Sequence, residues 1–142
     1  MSDDACVIVY AKAPVPGEVK TRLAPALDAA SAALLHAALV ERALETALAA
    51  DLAGVVLCCA PDAAHAFFAT CAEDFAVELA EQGEGDLGAR MLRTLQHALA
   101  GFDAAIIVGA DAPAVTAKHL REAANALSGS DVVLSPAEDG GD

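Results

Sequence analysis

Five short apolar runs alternate along the chain with four longer stretches in which apolar residues return every three or four positions. The runs are Ala5–Tyr10 (Ala-Cys-Val-Ile-Val-Tyr), Gly54–Ala60, Ala76–Ala80, the opening of Ala104–Pro113 (Ala-Ala-Ile-Ile-Val-Gly-Ala-Asp-Ala-Pro) and Asp131–Ser135. Continuous apolar character bounded by turn residues is what strands buried on both faces of a parallel sheet require. Between them, Ala29–Ala50 carries Leu35, Leu39, Ala43 and Ala47 on one stripe and Glu41, Arg42 and Glu45 among its polar positions, which predicts an amphipathic crossover helix. Pro61-Asp62 opens a second helix to about Cys71, with Phe67 and Phe68 packed and His65 lacking an evident partner. A third starts at Leu87 and ends near Ala100 before Gly101, and Thr116 caps a fourth over Ala117–Leu127. This alternation predicts an α/β fold, a three-layer α/β/α sandwich on a mainly parallel, Rossmann-like sheet, with residues 1–142 forming a single domain.

Composition narrows the class. Apolar residues make up 56% of the chain but aromatics only 4%, which suits alanine-rich helices lying close on a sheet. No run approaches the roughly 18 apolar residues of a membrane span, and the N-terminus lacks the basic and apolar regions of a signal peptide, so the expected location is cytoplasmic. Cys6, Cys58, Cys59 and Cys71 have no C-x-x-C spacing and read as buried free thiols. His36 on the first helix reads as a surface or half-buried residue.

The formal net charge of −13 argues against nucleic acid or an anionic membrane as partner. The same field repels a phosphorylated ligand unless cations are concentrated locally. Of the eight Lys and Arg residues, Lys12, Lys20 and Arg22 fall in one short segment and Arg90 and Arg93 in another. The first segment, Ala11–Pro25, leaves the first strand as a loop, because Pro14 and Pro16 forbid a helix and Gly17 allows a turn. It is not a P-loop: Gly17-Glu18-Val19-Lys20-Thr21 supplies Lys-Thr without the glycines in register. Gly83, Gly85 and Gly88 spell G-x-G-x-x-G, but after the third strand instead of the first, and with Glu84 and Asp86 where a pyrophosphate would approach. These glycines are expected to shape a loop in front of a helix N-terminus, with Arg90 and Arg93 one turn apart on one side.

Right-handed crossovers would bring every strand exit to one edge of the sheet. Along that edge fall Lys12, Lys20 and Arg22, then Gln82–Arg93, then Asp111, then Glu138-Asp139. Asp111 alone could merely cap a turn before Pro113. Cations together with two separate carboxylates able to hold Mg²⁺ or Mn²⁺ are the parts of a nucleoside phosphate site.

Four segments in order, Ala11–Gly17 with Lys20-Thr21-Arg22-Leu23, Gln82–Met91, Gly109-Ala110-Asp111-Ala112-Pro113 and Pro136–Gly141, resemble the selenodomain-associated transferase family. That family is assigned to the glycosyltransferase-A, or nucleotide-diphospho-sugar transferase, superfamily. In plan the chain is also similar to molybdenum-cofactor cytidylyltransferase and 2-phospholactate guanylyltransferase. The resemblance implies a glycosyltransferase-A type fold and a metal-dependent nucleotidyl or glycosyl transfer from a nucleoside triphosphate or nucleotide sugar. It places Lys20 and Arg22 on the phosphates within a binding set of Lys12, Gly17, Lys20, Arg22, Gln82, Gly88 and Arg90. It makes Asp111 the metal-binding aspartate, with Asp139 as second ligand to Mg²⁺ or Mn²⁺, and it names no general base.

The family continues beyond Gly-Gly, usually with Tyr, whereas this sequence has Asp142 there. The resemblance therefore implies that the C-terminal strands and the acceptor side are missing, and an edge exposed by that loss would favour a homodimer or aggregation unless something covers it. The competing reading is a catalytically silent fold that binds a nucleotide or a protein partner. A third is a flavodoxin-like or regulatory α/β domain in which Asp111 serves another purpose.

Overall fold

Every position from Ala5 to Ala11 is apolar and buried, which a strand can satisfy only with layers on both of its faces and a neighbour on each side. The computed structural model describes residues 5–19, 28–110 and 115–126, together with the backbone of 132–134, and gives this strand those surroundings. The elements are β1 (Ala5–Lys12), α1 (Ala29–Ala49), β2 (Gly54–Ala60), α2 (Ala66–Phe75), β3 (Glu78–Glu81), α3 (Leu87–Leu99), β4 (Ala104–Gly109), α4 (Ala117–Ala126) and β5 (Val132–Leu134). They form one five-stranded sheet of order β3-β2-β1-β4-β5, parallel throughout. β1 is thus the middle strand, in register from Cys6 opposite Gly54 to Lys12 opposite Ala60 on one side and from Ala5 opposite Ala104 to Tyr10 opposite Gly109 on the other.

The pleat of β1 divides the core. Val7, Val9 and Ala11 pack with Leu57, Cys59, Ile106 and Val108 beneath α1, α2 and α4. Cys6, Ile8 and Tyr10 pack with Cys58, Ala105 and Ile107 beneath α3, which contributes Leu95 and, at its margins, Met91, Ala98 and Leu99. The result is the predicted three-layer α/β/α sandwich.

Several details differ from the sequence reading. β1 runs two residues further than Tyr10, because Ala11 and Lys12 still pair with Cys59 and Ala60. The buried stripe of α1 is Ala32, Ala33, His36, Val40, Leu44 and Ala47, while Leu35 stays 39% exposed. Small alanines at 32 and 33 let the helix lie close to the sheet and turn it by one position from the expected face. α2 starts at Ala66, not at Pro61-Asp62, since the Asp62 carboxylate accepts from the Ala64 amide at 2.9 Å and holds a local turn instead of a first helical turn. His65, for which the sequence shows no evident partner, is its N-cap and accepts from the Phe67 amide at 3.0 Å. β3 begins at Glu78 because Ala76 adopts the left-handed conformation (φ 55°) that closes α2.

The crossovers do not share one hand. α1 and α2 step from β1 towards β3, whereas α3 and α4 step back towards β5, so a uniform hand would set α4 beside α3. Leu120 and Ala124 of α4 are instead buried in the cluster shared with Val40 and Leu44 of α1, and Arg121 Nη1 donates to the Ala49 carbonyl at the end of α1 (3.2 Å). The last crossover therefore has the opposite hand to the other three. Parallel pairing alone still carries the described strand exits to one edge.

The stripe on α1 can be measured. Leu44→Ala, fully buried, is expected to cost about 2–5 kcal/mol, and Leu35→Ala under about 1 kcal/mol. Chemical denaturation midpoints check this, and equal losses would return the buried face to the position expected from sequence.

Candidate functional site

At the C-terminal edge of the sheet, three backbone bonds extend the ladders past the ends of the strands. Ala13 N–H donates to Ala60 O (2.8 Å), Gln82 N–H to Cys59 O (2.9 Å) and Ala110 N–H to Tyr10 O (3.1 Å). The loops after β1, β3 and β4 thus all start from positions tied to their neighbours.

The loop after β1 is folded on itself. Glu18 N–H donates to Val15 O at 2.9 Å around Pro16-Gly17, with Gly17 at φ 86°, the arrangement of a type II turn, in which proline and then glycine take the two central places. Lys12 is held at both ends. Its carbonyl meets His36 Nε2 at 2.8 Å, and its exposed ammonium donates to Glu18 O at 3.3 Å. His36 is therefore not the surface or half-buried residue expected from sequence: it is 5% exposed and braces the end of β1.

The loop after β3 is built around Gln82, which is buried. Its side-chain amide donates to Cys58 O at 3.2 Å, and its Oε1 accepts from Arg90 Nη1 at 2.6 Å. Arg90 Nε also reaches Asp86 O at 3.4 Å. Gly83 (φ 81°) and Gly85 (φ 107°) take the left-handed turns that follow, and Asp86 caps α3 by accepting from Ala89 N–H at 2.8 Å. Asp86 is thus a cap on the helix and not simply a charge in a phosphate's way. Gly88 is an ordinary helical residue, where a Cβ would meet only Asp86 Oδ1 at 3.6 Å.

One turn along α3, Arg93 donates from Nη1 to Gln82 O (2.9 Å) and from Nη2 to Glu84 O (2.8 Å). The sequence groups Arg93 with the cations but gives it no role. Its spacing from Arg90 is the only signal that points to it. Below these arginines, Tyr10 Oη shares a 2.7 Å hydrogen bond with Thr94 Oγ1. Burial lifts the Tyr10 phenol above its ordinary value, opposed by the Thr94 bond and by the fields of Arg90 and Arg93, so it stays neutral at physiological pH.

Of the residues expected at the site, Lys12 thus ends β1 and Gly17 lies on the loop after it, while Gln82 lies on the loop after β3 and Gly88 and Arg90 on α3. Lys20, Arg22, Asp111 and Asp139 lie outside the described residues. Among the described residues no group of three or more His, Cys, Asp or Glu side chains could hold a metal ion. A cleft between α1 and α4, lined by Leu39, Ala43, Val115 and Leu120 among others, encloses about 10 Å³, the space of a single water. No helix among the described residues is long and apolar enough to cross a membrane.

The family described as "uncharacterized protein conserved in bacteria" (DUF2064) matches residues 43–141, from the middle of α1 to past β5. The chain belongs to this family. Among curated proteins none matches its sequence. Among solved structures, the chain resembles one titled as a putative nucleotide-diphospho-sugar transferase from Desulfovibrio desulfuricans G20, at 29% identity and a TM-score of 0.76. That match takes in 88% of this chain and spans 55% of the length of the other.

The cysteines stand apart from this edge chemistry. All four are buried and free. Burial pushes the Cys6 and Cys71 thiols up to about 11 and Cys59 to about 12, with neighbouring carboxylates adding to each shift, so none is an activated nucleophile. An unfolded thiol ionises near 9, so between pH 9 and 11 the unfolded chain binds fewer protons than the folded one. Stability should therefore fall as pH rises through this window, by about 1.4 kcal/mol per pH unit for each fully titrating thiol. Urea midpoints in reducing buffer at pH 8, 9 and 10 measure it; a flat profile would contradict neutral, buried thiols.

Proposed function

We propose that the strand-exit edge binds the phosphates of a nucleoside triphosphate or nucleotide sugar, and that the protein is a metal-dependent nucleotidyl- or glycosyltransferase of the nucleotide-diphospho-sugar transferase type. The observation that carries this reading is the convergence of Lys12 and the Gln82–Arg90 loop at one edge of a parallel sheet, where α/β folds bind their ligands. The likeness to the Desulfovibrio structure supports it independently. The four sequence segments shared with the selenodomain-associated transferases favour that group.

In this reading Lys12, Lys20, Arg22 and Arg90 supply positive charge to phosphate oxygens, while Gly17 and Gly88 leave backbone uncovered where the ligand approaches. Gln82 holds Arg90 in place through its Oε1. Asp111 and Asp139 are the proposed metal ligands: hard carboxylate oxygens suit Mg²⁺ or Mn²⁺. A bound divalent cation would offset phosphate charge that a protein of net charge −13 otherwise repels. Catalysis would then consist mainly of positioning and charge neutralisation.

A second reading, a nucleotide-binding fold without turnover, is favoured by one observation. The described cations at the edge, Lys12, Arg90 and Arg93, each already bind an acceptor of the protein itself.

Thermal unfolding with a panel of nucleoside triphosphates and nucleotide sugars, with and without Mn²⁺, tests the site. A cognate ligand at about 100 times its Kd adds about 2.7 kcal/mol, which raises Tm by roughly 5–10 °C. Asp111→Asn should abolish the metal-dependent part of that rise. Gly88→Ala should stabilise the free protein by about 0.4–1 kcal/mol, as a helical glycine replaced by alanine does, yet weaken nucleotide binding. If no nucleotide shifts Tm, the proposal fails. If nucleotides bind but product analysis finds no transfer, the second reading holds.

A further inference from the structure

We propose that Arg93 is a positioning residue: its guanidinium staples the glycine loop between β3 and α3 into the shape in which that loop meets phosphate. The inference rests on the nucleotide reading above and adds to it a residue which that reading does not use.

The geometry is a fork closed on the backbone. Arg93 Nη1 and Nη2 donate to the carbonyls of Gln82 and Glu84, two residues apart, and so span Gly83. The loop is built to admit this group. A Cβ on Gly83 would overlap Arg93 Nη1, and one on Gly85 would lie 3.7 Å from Nη2, while both glycines hold positive φ. The far end of the loop is fixed by the Asp86 cap and the near end by buried Gln82, which leaves Gly83–Gly85 as the stretch that only Arg93 ties down among the described contacts. Arginine suits the task because its planar fork reaches two acceptors at once, whereas a lysine ammonium is a single point on a flexible stem. Nη1 and Nη2 of Arg93 both donate to carbonyls of the loop itself, so its role is to shape the loop.

The test uses ¹⁵N-labelled protein of the full 142-residue chain without ligand. Backbone order parameters of Gly83, Glu84 and Gly85 should drop from about 0.85 in wild type to below about 0.6 in Arg93→Ala, and equally in Arg93→Lys. The core around Leu95 should keep its values. Gly83→Ala should loosen the loop at least as far, since its methyl group displaces the guanidinium and strains a backbone held at φ 81°. Affinity for UDP-glucose and for CTP, each with Mn²⁺, should fall at least tenfold in Arg93→Ala for whichever binds wild type, with partial recovery in about 20 mM guanidinium. A loop in Arg93→Ala as ordered as in wild type would overturn the proposal, as would a loosened loop that binds nucleotide as tightly as wild type does. Loosening in the variant without nucleotide binding by wild type would count against the nucleotide reading and leave the staple standing.

Discussion

The constraint on which the rest depends is that β1 is hydrogen-bonded on both sides and covered on both faces. A strand so placed has no freedom of register, since a slip of one residue would exchange Val7 and Val9 with Cys6 and Ile8 between two differently packed layers. The ladder bonds from Ala13, Gln82 and Ala110 pass that rigidity on to the loops beyond the strands. Groups at the edge therefore take their positions from the sheet, which is how short loops can hold a precise arrangement without a core of their own.

Charge imposes a second constraint. An acidic protein that is to attract phosphate must fix cations locally without cancelling them. Pairing each cation with Asp or Glu would fix it and neutralise it together. Among the described residues, Lys12, Arg90 and Arg93 are fixed instead by carbonyl and amide oxygens of Glu18, Gln82, Asp86 and Glu84, which are neutral acceptors. The side chains are restrained while their unit charges remain in the field at the edge. Restraint also lowers the entropy that ligand binding would otherwise have to overcome.

How far the sequence reaches follows from which forces leave a pattern in it. Burial on two faces leaves continuous apolar runs, so the bounds of Gly54–Ala60 and the parallel sheet are both legible. Helix caps leave short polar signals, and Thr116 is readable from one: its hydroxyl accepts from His119 N–H at 3.1 Å. An alanine-rich helix gives little contrast between faces, which is why the stripe of α1 lies one position from its expected place. Nothing local encodes the hand of the last crossover, since it is decided by where Leu120 finds cover. At the edge, charge clustering picks out Lys12 and Arg90, but bonds from a side chain to a distant carbonyl, such as His36 to Lys12 or Arg93 to Gln82, have no spacing rule to betray them.

The three glycines of Gly83-x-Gly85-x-x-Gly88 show how one pattern can hide different causes. In a dinucleotide-binding turn the spacing reflects a tight turn, close approach of the ligand and helix packing. Here Gly83 is required by its φ and by the guanidinium lying against it, and Gly85 by its φ. Neither requirement involves a ligand. Gly88 has a helical backbone and ordinary space where an alanine methyl group would stand, so the fold of the free chain does not demand glycine there. A helical glycine costs stability relative to alanine, and a position that bears this cost without a conformational reason is where a reason outside the free chain is to be sought. By this division the first two glycines belong to the architecture of the loop, and the third is the one that the backbone and packing of the free chain do not require.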